Sequence, residues 1–131
     1  MTKILITQFD YDRLMKLLDK RKPHDDFDKS LLAELEKGEI IEPKDVPDDV
    51  ITMNSQVSFT DEHGDDWKYW LVFPDDSDLT KQKISILSPI GCALIGYSKG
   101  DTITLPTPKG RRQLTVEEII HQPEREGNFD L

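Results

Sequence analysis

The chain has 131 residues, 36% of them hydrophobic and 33% charged, with 26 acidic against 17 basic side chains and a net charge of −9. That length suits one domain plus an appendage, and no run of 18 apolar residues is present to span a membrane. The acidic balance repels nucleic-acid phosphates and so argues against direct DNA or RNA binding.

The opening Met1–Thr7 stretch is apolar for too few residues to serve as a secretory signal. The single cysteine, Cys92, leaves no internal disulfide and points to a reducing, cytoplasmic setting. The densest basic groups are Lys16, Lys20, Arg21 and Lys22, then Lys109, Arg111 and Arg112. Neither is interleaved with aromatic residues in the manner of a single-strand platform. A basic protein surface is the more natural partner.

The first element is a helix opening at Thr7. Thr7 and Asp10 have capping-box spacing, and Ile6 and Tyr11 stand where a hydrophobic staple would. Tyr11, Leu14, Leu17 and Leu18 recur at helical spacing. Lys20, Arg21 and Lys22 suit the negative end of the helix dipole, and Pro23 ends the element. A second helix reads from Asp26 to Lys37 with Gly38 as its stop. Phe27, Leu31 and Leu35 form its apolar stripe, widened by Leu32. Two antiparallel helices joined by a short loop would close these stripes on each other, so residues 1–40 are expected to form a short helical hairpin. At 1.5 Å per residue its arms are about 22 Å and about 17 Å long.

Residues 41–50 read as a linker with two prolines, several acids and no sustained period. From residue 51 to 131 the pattern belongs to strands. Val57 and Phe59 alternate with polar residues. Asp61-Glu62-His63-Gly64-Asp65 is a turn. Trp67, Tyr69, Leu71 and Phe73 alternate again, with Trp70 and Val72 on the opposite face. An acidic loop at 74–78 precedes a strand at 83–87. Two further strands read at 102–105 and from Arg112 to His121. The expected architecture is α+β: an antiparallel sheet with one short helix packed on it.

That short helix is Ser88-Pro89-Ile90-Gly91-Cys92-Ala93-Leu94-Ile95-Gly96. Ser88 is a natural N-cap and Pro89 suits the first helical position, where the N–H has no intrahelical partner. Gly91 and Ala93 let a neighbouring backbone come close, and Gly96 fits a left-handed stop. Cys92 within this apolar segment reads as a buried, inert thiol.

No catalytic constellation is legible. His24, His63 and His121 are not spaced with one another or with Cys92 as metal ligands. His24, Asp25 and Asp26 at the turn between the helices could hold a hard cation weakly or could simply form a solvated loop that caps the second helix. The latter is the plainer reading. No phosphate-cradling glycine loop is present.

Taken together, several segments resemble the Gre transcript-cleavage factors, and within that family the regulators of nucleoside diphosphate kinase. These are Asp48-Asp49-Val50-Ile51-Thr52-Met53-Asn54-Ser55-Gln56-Val57-Ser58-Phe59 with Pro47 before it, Leu87 to Asp101, and Gln122-Pro123-Glu124. They lie in order with compatible spacing over nearly the whole chain. The resemblance implies a short N-terminal coiled coil and a C-terminal domain of the FKBP-like α+β fold. It implies docking on the rim of the RNA polymerase secondary channel, through Ser88, Pro89 and Ile90 at the matching positions. Gre factors often carry an acid before Ser-Pro, where this chain has Leu87. In Gre factors a long coiled coil carries tip acids that help position a catalytic magnesium. Here the arm is about half that length, so Asp25 and Asp26 would stop well short of the active centre.

The resulting expectation is a monomeric, non-enzymatic polymerase-binding regulator that needs no cofactor or metal and competes with Gre factors without stimulating cleavage. Two rivals remain open. One is an active cleavage factor using Asp25 and Asp26. The other is a prolyl isomerase or small-ligand binder with a pocket lined by Trp67 or Tyr69, although a shared fold does not carry that activity with it.

Overall fold

The computed structural model describes residues 4–23, 25–107 and 110–127. A short parallel strand pair organises the N-terminal third. Strand β1 (Leu5–Thr7) runs into helix α1 (Gln8–Asp19), and helix α2 (Asp26–Lys37) runs into strand β2 (Glu39–Ile41). β1 and β2 pair in parallel, Leu5 opposite Glu39 and Thr7 opposite Ile41. The point where the chain enters the helices and the point where it leaves them are thereby held side by side.

Both helices start as their sequences dictate. The Thr7 hydroxyl accepts the Asp10 N–H at 3.1 Å, which satisfies one of the donors a helix start leaves open. Asp25 and Asp28 form a reciprocal capping box on α2. α1 stops at Asp19, earlier than the proline alone requires. The Arg21 N–H bonds the Leu18 carbonyl at 3.0 Å, tightening the last turn, and the Arg21 side chain swings to Asp28. Each helix is 12 residues long, about 18 Å at 1.5 Å per residue. Leu14, Leu18, Leu31 and Leu35, four positions of the apolar stripes read from the sequence, are at most 1% exposed.

The stretch between arm and sheet is packed down. A 3-10 turn covers Pro43–Asp45, and Val46, Val50 and Ile51 are buried. Val50 forms a bridge with Ser98. The Gln122 side-chain amide donates to the Pro47 and Val50 carbonyls at 2.8 and 2.7 Å.

The main sheet has five strands in the order β5-β4-β3-β7-β6. They are β3 (Gln56–Asp61), β4 (Asp66–Val72), β5 (Lys83–Ser85), β6 (Thr102–Thr107) and β7 (Gly110–His121), with helix α3 (Pro89–Leu94) between β5 and β6. In β3 the inward residues are Val57, Phe59 and Asp61, the period-two pattern of a half-buried strand.

One expectation is corrected. The sheet is not wholly antiparallel, because β5 runs parallel to β4, Trp70 opposite Lys83 and Val72 opposite Ser85. A parallel return needs a crossover rather than a tight turn. Residues 73–82 supply it through 3-10 turns at Pro74–Asp76 and Leu79–Lys81. The acidic loop read at 74–78 is thus part of a structured connection.

The architecture is α+β, with two N-terminal helices, a five-stranded sheet and the short α3. One continuous cluster of apolar side chains includes Leu14, Leu18, Leu31 and Leu35 from the arm, Phe59 and Leu71 from the sheet, and Leu94 from α3. Among the described residues no helix is long and apolar enough to cross a membrane.

Candidate functional site

The Ser-Pro segment is a tightly bonded corner. Ser88 caps α3: its hydroxyl accepts the Gly91 N–H at 3.0 Å and donates to the Ser85 carbonyl at 2.7 Å. The Ser85 hydroxyl in turn accepts the Leu87 N–H at 2.9 Å. A Cβ at Gly91 would collide with the Ser85 carbonyl oxygen, so glycine here lets the helix start lie against the end of β5. At the other end Gly96 has a φ of +82°, the left-handed stop expected there. Its amide bonds the Ile51 carbonyl at 2.9 Å and its carbonyl accepts the Leu5 N–H at 3.1 Å. Cys92 is 8% exposed. Burial first, then the nearby Glu34 charge, raises its thiol to about 11. At neutral pH it is a thiol, not a nucleophilic thiolate.

Ile90, half-buried, faces a recess of about 60 Å³ whose other walls are Phe59, Trp67, Arg112 and Leu114. Trp67 is 38% exposed and stacks on Tyr69, which stacks on Phe59, with ring centroids 6.3 and 6.0 Å apart. Tyr69 supports this wall from behind and does not line the recess.

Asp61 holds the arrangement together. Its side chain is fully buried. One oxygen accepts the His63 and Asp65 amides at 2.9 and 3.0 Å. The other accepts the Trp67 indole N–H at 3.2 Å and the Arg112 guanidinium at 2.6 Å. Desolvation pushes this carboxyl upward. The hydrogen bonds from Trp67, Asp65 and His63 and the charge of Arg112 outweigh it and hold the group below the ordinary aspartate value. The turn read at 61–65 is present, with Gly64 at φ +81°, but the role of Asp61 within it depends on residues some fifty positions away.

Two acids at the far end of the arm, Asp25 and Asp28, have structural duties. Asp25 accepts the Asp28 N–H at 2.8 Å. Asp28 is 1% exposed and pairs with Arg21 at 2.8 Å. Asp26 is exposed. His24 lies outside the described residues. Among the described residues no three His, Cys, Asp or Glu side chains are grouped to hold a metal ion.

The arm's base contains the residues that sequence reasoning missed. The Asp10 carboxylate, 1% exposed, accepts the Met53 N–H at 3.0 Å and pairs with Arg13 at 2.6 Å. Arg13 lies over the Phe9 ring at 4.0 Å and the Phe73 ring at 4.6 Å. Beside it, the Thr52 hydroxyl donates to Glu124 at 2.7 Å, and Thr52 and Ser55 exchange local bonds. Asn54 between them takes a φ of +67°, tolerated by asparagine better than by most residues. The Thr52–Ser55 string is therefore a knot joining α1, β4 and the C-terminal turn. Desolvation raises both Asp10 and Glu124, and it is opposed at Asp10 by Met53 and Arg13 and at Glu124 by Thr52.

These features belong to a recognisable class. The sequence pattern "Transcription elongation factor, GreA/GreB, C-term" matches residues 46–121, and the pattern "Rnk N-terminus" matches residues 2–41. The chain belongs to the GreA/GreB family. Over nearly its whole length it is similar to the regulator of nucleoside diphosphate kinase of Escherichia coli strain K12, 34% identical over 134 residues, covering 98% of this chain and 96% of that protein. It is also similar to the transcription elongation factor GreA of Azorhizobium caulinodans, 32% identical over 93 residues, which span 67% of this chain and 59% of that one. Among solved structures, the prokaryotic transcription elongation factor GreA/GreB from Nitrosomonas europaea aligns with a TM-score of 0.76 at 37% identity, over 91% of this chain and 100% of that chain. Family membership supports a transcription-factor-like role.

Proposed function

We propose that this protein is a cytoplasmic, monomeric, non-enzymatic transcription regulator that binds core RNA polymerase at the rim of the secondary channel. It competes there with Gre factors and does not stimulate transcript cleavage. The docking face is the Ser88-Pro89-Ile90 corner. In this reading residues 1–40 form the short coiled-coil arm, 41–50 the connection and 51–131 an FKBP-like docking domain.

The observation that carries the reading is the state of the arm. Its helices are 12 residues long, about 18 Å. Of its acids, Asp25 is engaged in a helix cap and Asp28 in a pair with Arg21. Asp26 is left exposed, but an arm of that length, with Asp25 and Asp28 so engaged, does not supply a free acid pair at an active centre far down a channel. The Ser88 corner, by contrast, is held by its own hydrogen bonds without any partner, the preorganisation that favours docking.

The test is competition binding to core RNA polymerase against a labelled Gre factor, run beside transcript cleavage on a backtracked complex. Displacement without RNA shortening is the expected result. Shortening that disappears with Asp25→Ala would replace this reading with that of an active cleavage factor. Failure to displace at micromolar protein would remove it.

A further inference from the structure

The recess beside Ile90 has a construction that helix capping does not explain. Large hydrophobic side chains are normally turned inward, yet Trp67 stands 38% exposed and is held there from two sides. Tyr69 and Phe59 stack behind it, and the buried Asp61 carboxylate fixes its indole N–H. The same carboxylate fixes Arg112 on the other flank at 2.6 Å. The result is a small, preformed hollow with an aromatic wall, an aliphatic floor of Leu114 and a rim shared by Ile90 and Arg112.

The geometry points to this hollow as the anchor pocket of the docking face, accepting one uncharged aliphatic side chain from a basic surface of the polymerase. This rests on the proposed polymerase docking of the Ser88–Ile90 corner. Three features select that occupant. A volume of about 60 Å³ is small beside the roughly 150 Å³ cavity that takes a benzene, so a branched aliphatic tip fits and an aromatic ring does not. Arg112 is already neutralised by Asp61, with Glu62 a further 3.8 Å neighbour, so the mouth offers no net positive charge to recruit a carboxylate. The chain as a whole carries −9, which favours a partner with a basic surface. Trp and Arg, which line the hollow, are also among the residue types that dominate binding energy at protein interfaces. Asp61 cannot touch the partner, being fully buried; it is a positioning residue for Trp67 and Arg112.

The test uses the full chain and the same polymerase competition. Trp67→Ala is expected to weaken binding by roughly tenfold or more, as loss of an interface hot spot does. Trp67→Phe, which keeps an aromatic wall, should recover to within about threefold of the parent. Ile120→Ala, at another exposed hydrophobic position, should bind like the parent. Asp61→Asn provides a separate readout. It removes the nearer of the two acids beside Arg112 and leaves Glu62 at 3.8 Å, which makes the mouth more positive against a basic partner, so its deficit relative to the parent should shrink as salt is raised. Thermal melts accompany each variant.

Equal binding by the parent and a folded Trp67→Ala would overturn the pocket and leave the docking reading standing. If Trp67→Ala does not fold, a salt-independent deficit for Asp61→Asn overturns it instead. No binding by the parent would overturn both. Self-association of the parent that Trp67→Ala abolishes in sedimentation, with polymerase binding retained, would assign the pocket to a second copy of this chain and also overturn the inference.

Discussion

The two ends of the helical arm use aspartate in opposite ways. At the base, Asp10 is buried and spends its carboxylate on a distant backbone amide, that of Met53, and on Arg13. At the far end, Asp25 is exposed and serves its own helix, while Asp28 pairs with Arg21 across the turn. The base is joined to the body and the tip is only closed on itself. The contrast shows that aspartates of one short arm can fasten it to the body at one end and close its own turn at the other. It also shows that a count of acids says little until their partners are known.

The largest expected effect lies at the base. Asp10→Ala leaves the buried Met53 N–H without its acceptor and takes the carboxylate from Arg13. Breaking such a buried pair should cost about 3 kcal/mol in urea unfolding. A loss below about 1 kcal/mol would mean that the arm is not held by this bond. At the tip, Asp28→Ala removes a pair in which Arg21 is partly exposed, together with half of a capping box, and about 2 kcal/mol is expected. Asp25→Ala removes a cap alone, worth about 1 kcal/mol. It should leave both polymerase binding and the absence of transcript shortening unchanged. An equal cost at Asp10 and Asp25 would erase the distinction between the ends.

The pH dependence sharpens the comparison with the smallest effect. Asp10 and Glu124 have carboxyls raised by burial, so the folded chain holds their protons more tightly than the unfolded one. Their contribution is fully present below the ordinary carboxylate range and is lost as pH rises through the raised folded values. Asp61 and Glu62 are lowered. Their contribution is present above the ordinary range and is lost as pH falls through the depressed values. Unfolding free energies measured from pH 4 to 8 should therefore fall less steeply with rising pH in an Asp10→Asn, Glu124→Gln double variant than in the parent. A steeper fall would place the base carboxylates on the wrong side of this linkage.

Much of this was legible in the chain because it depends on neighbours in sequence. The bounds of α2, the Thr7 and Ser88 caps, the Gly96 stop and the 61–65 turn each follow from residues within four positions of one another. The parallel pair of β1 and β2 was not legible, since two three-residue strands carry no period and meet only across the whole arm. The parallel setting of β5 depends on how residues 73–82 fold between two strands. Asp10 reads from its spacing to Thr7 as the reach-back half of a capping box, but in the structure Thr7 caps its N–H and its carboxylate goes to Met53 and Arg13. Its Met53 bond spans 43 positions, and the Asp61–Arg112 bond spans 51.

By itself, then, the sequence determined the three helices, the strands of the main sheet to within a few residues, and which family the motifs resemble, because propensity, capping and apolar period act over a few residues. The tertiary structure alone decided that the arm's base shares the core of the sheet, that Asp10 and Asp28 find partners at opposite ends of the arm, and that Trp67 is held outward beside Ile90. Those outcomes depend on desolvation and on charges brought together from distant positions, and neither exists until the chain has folded.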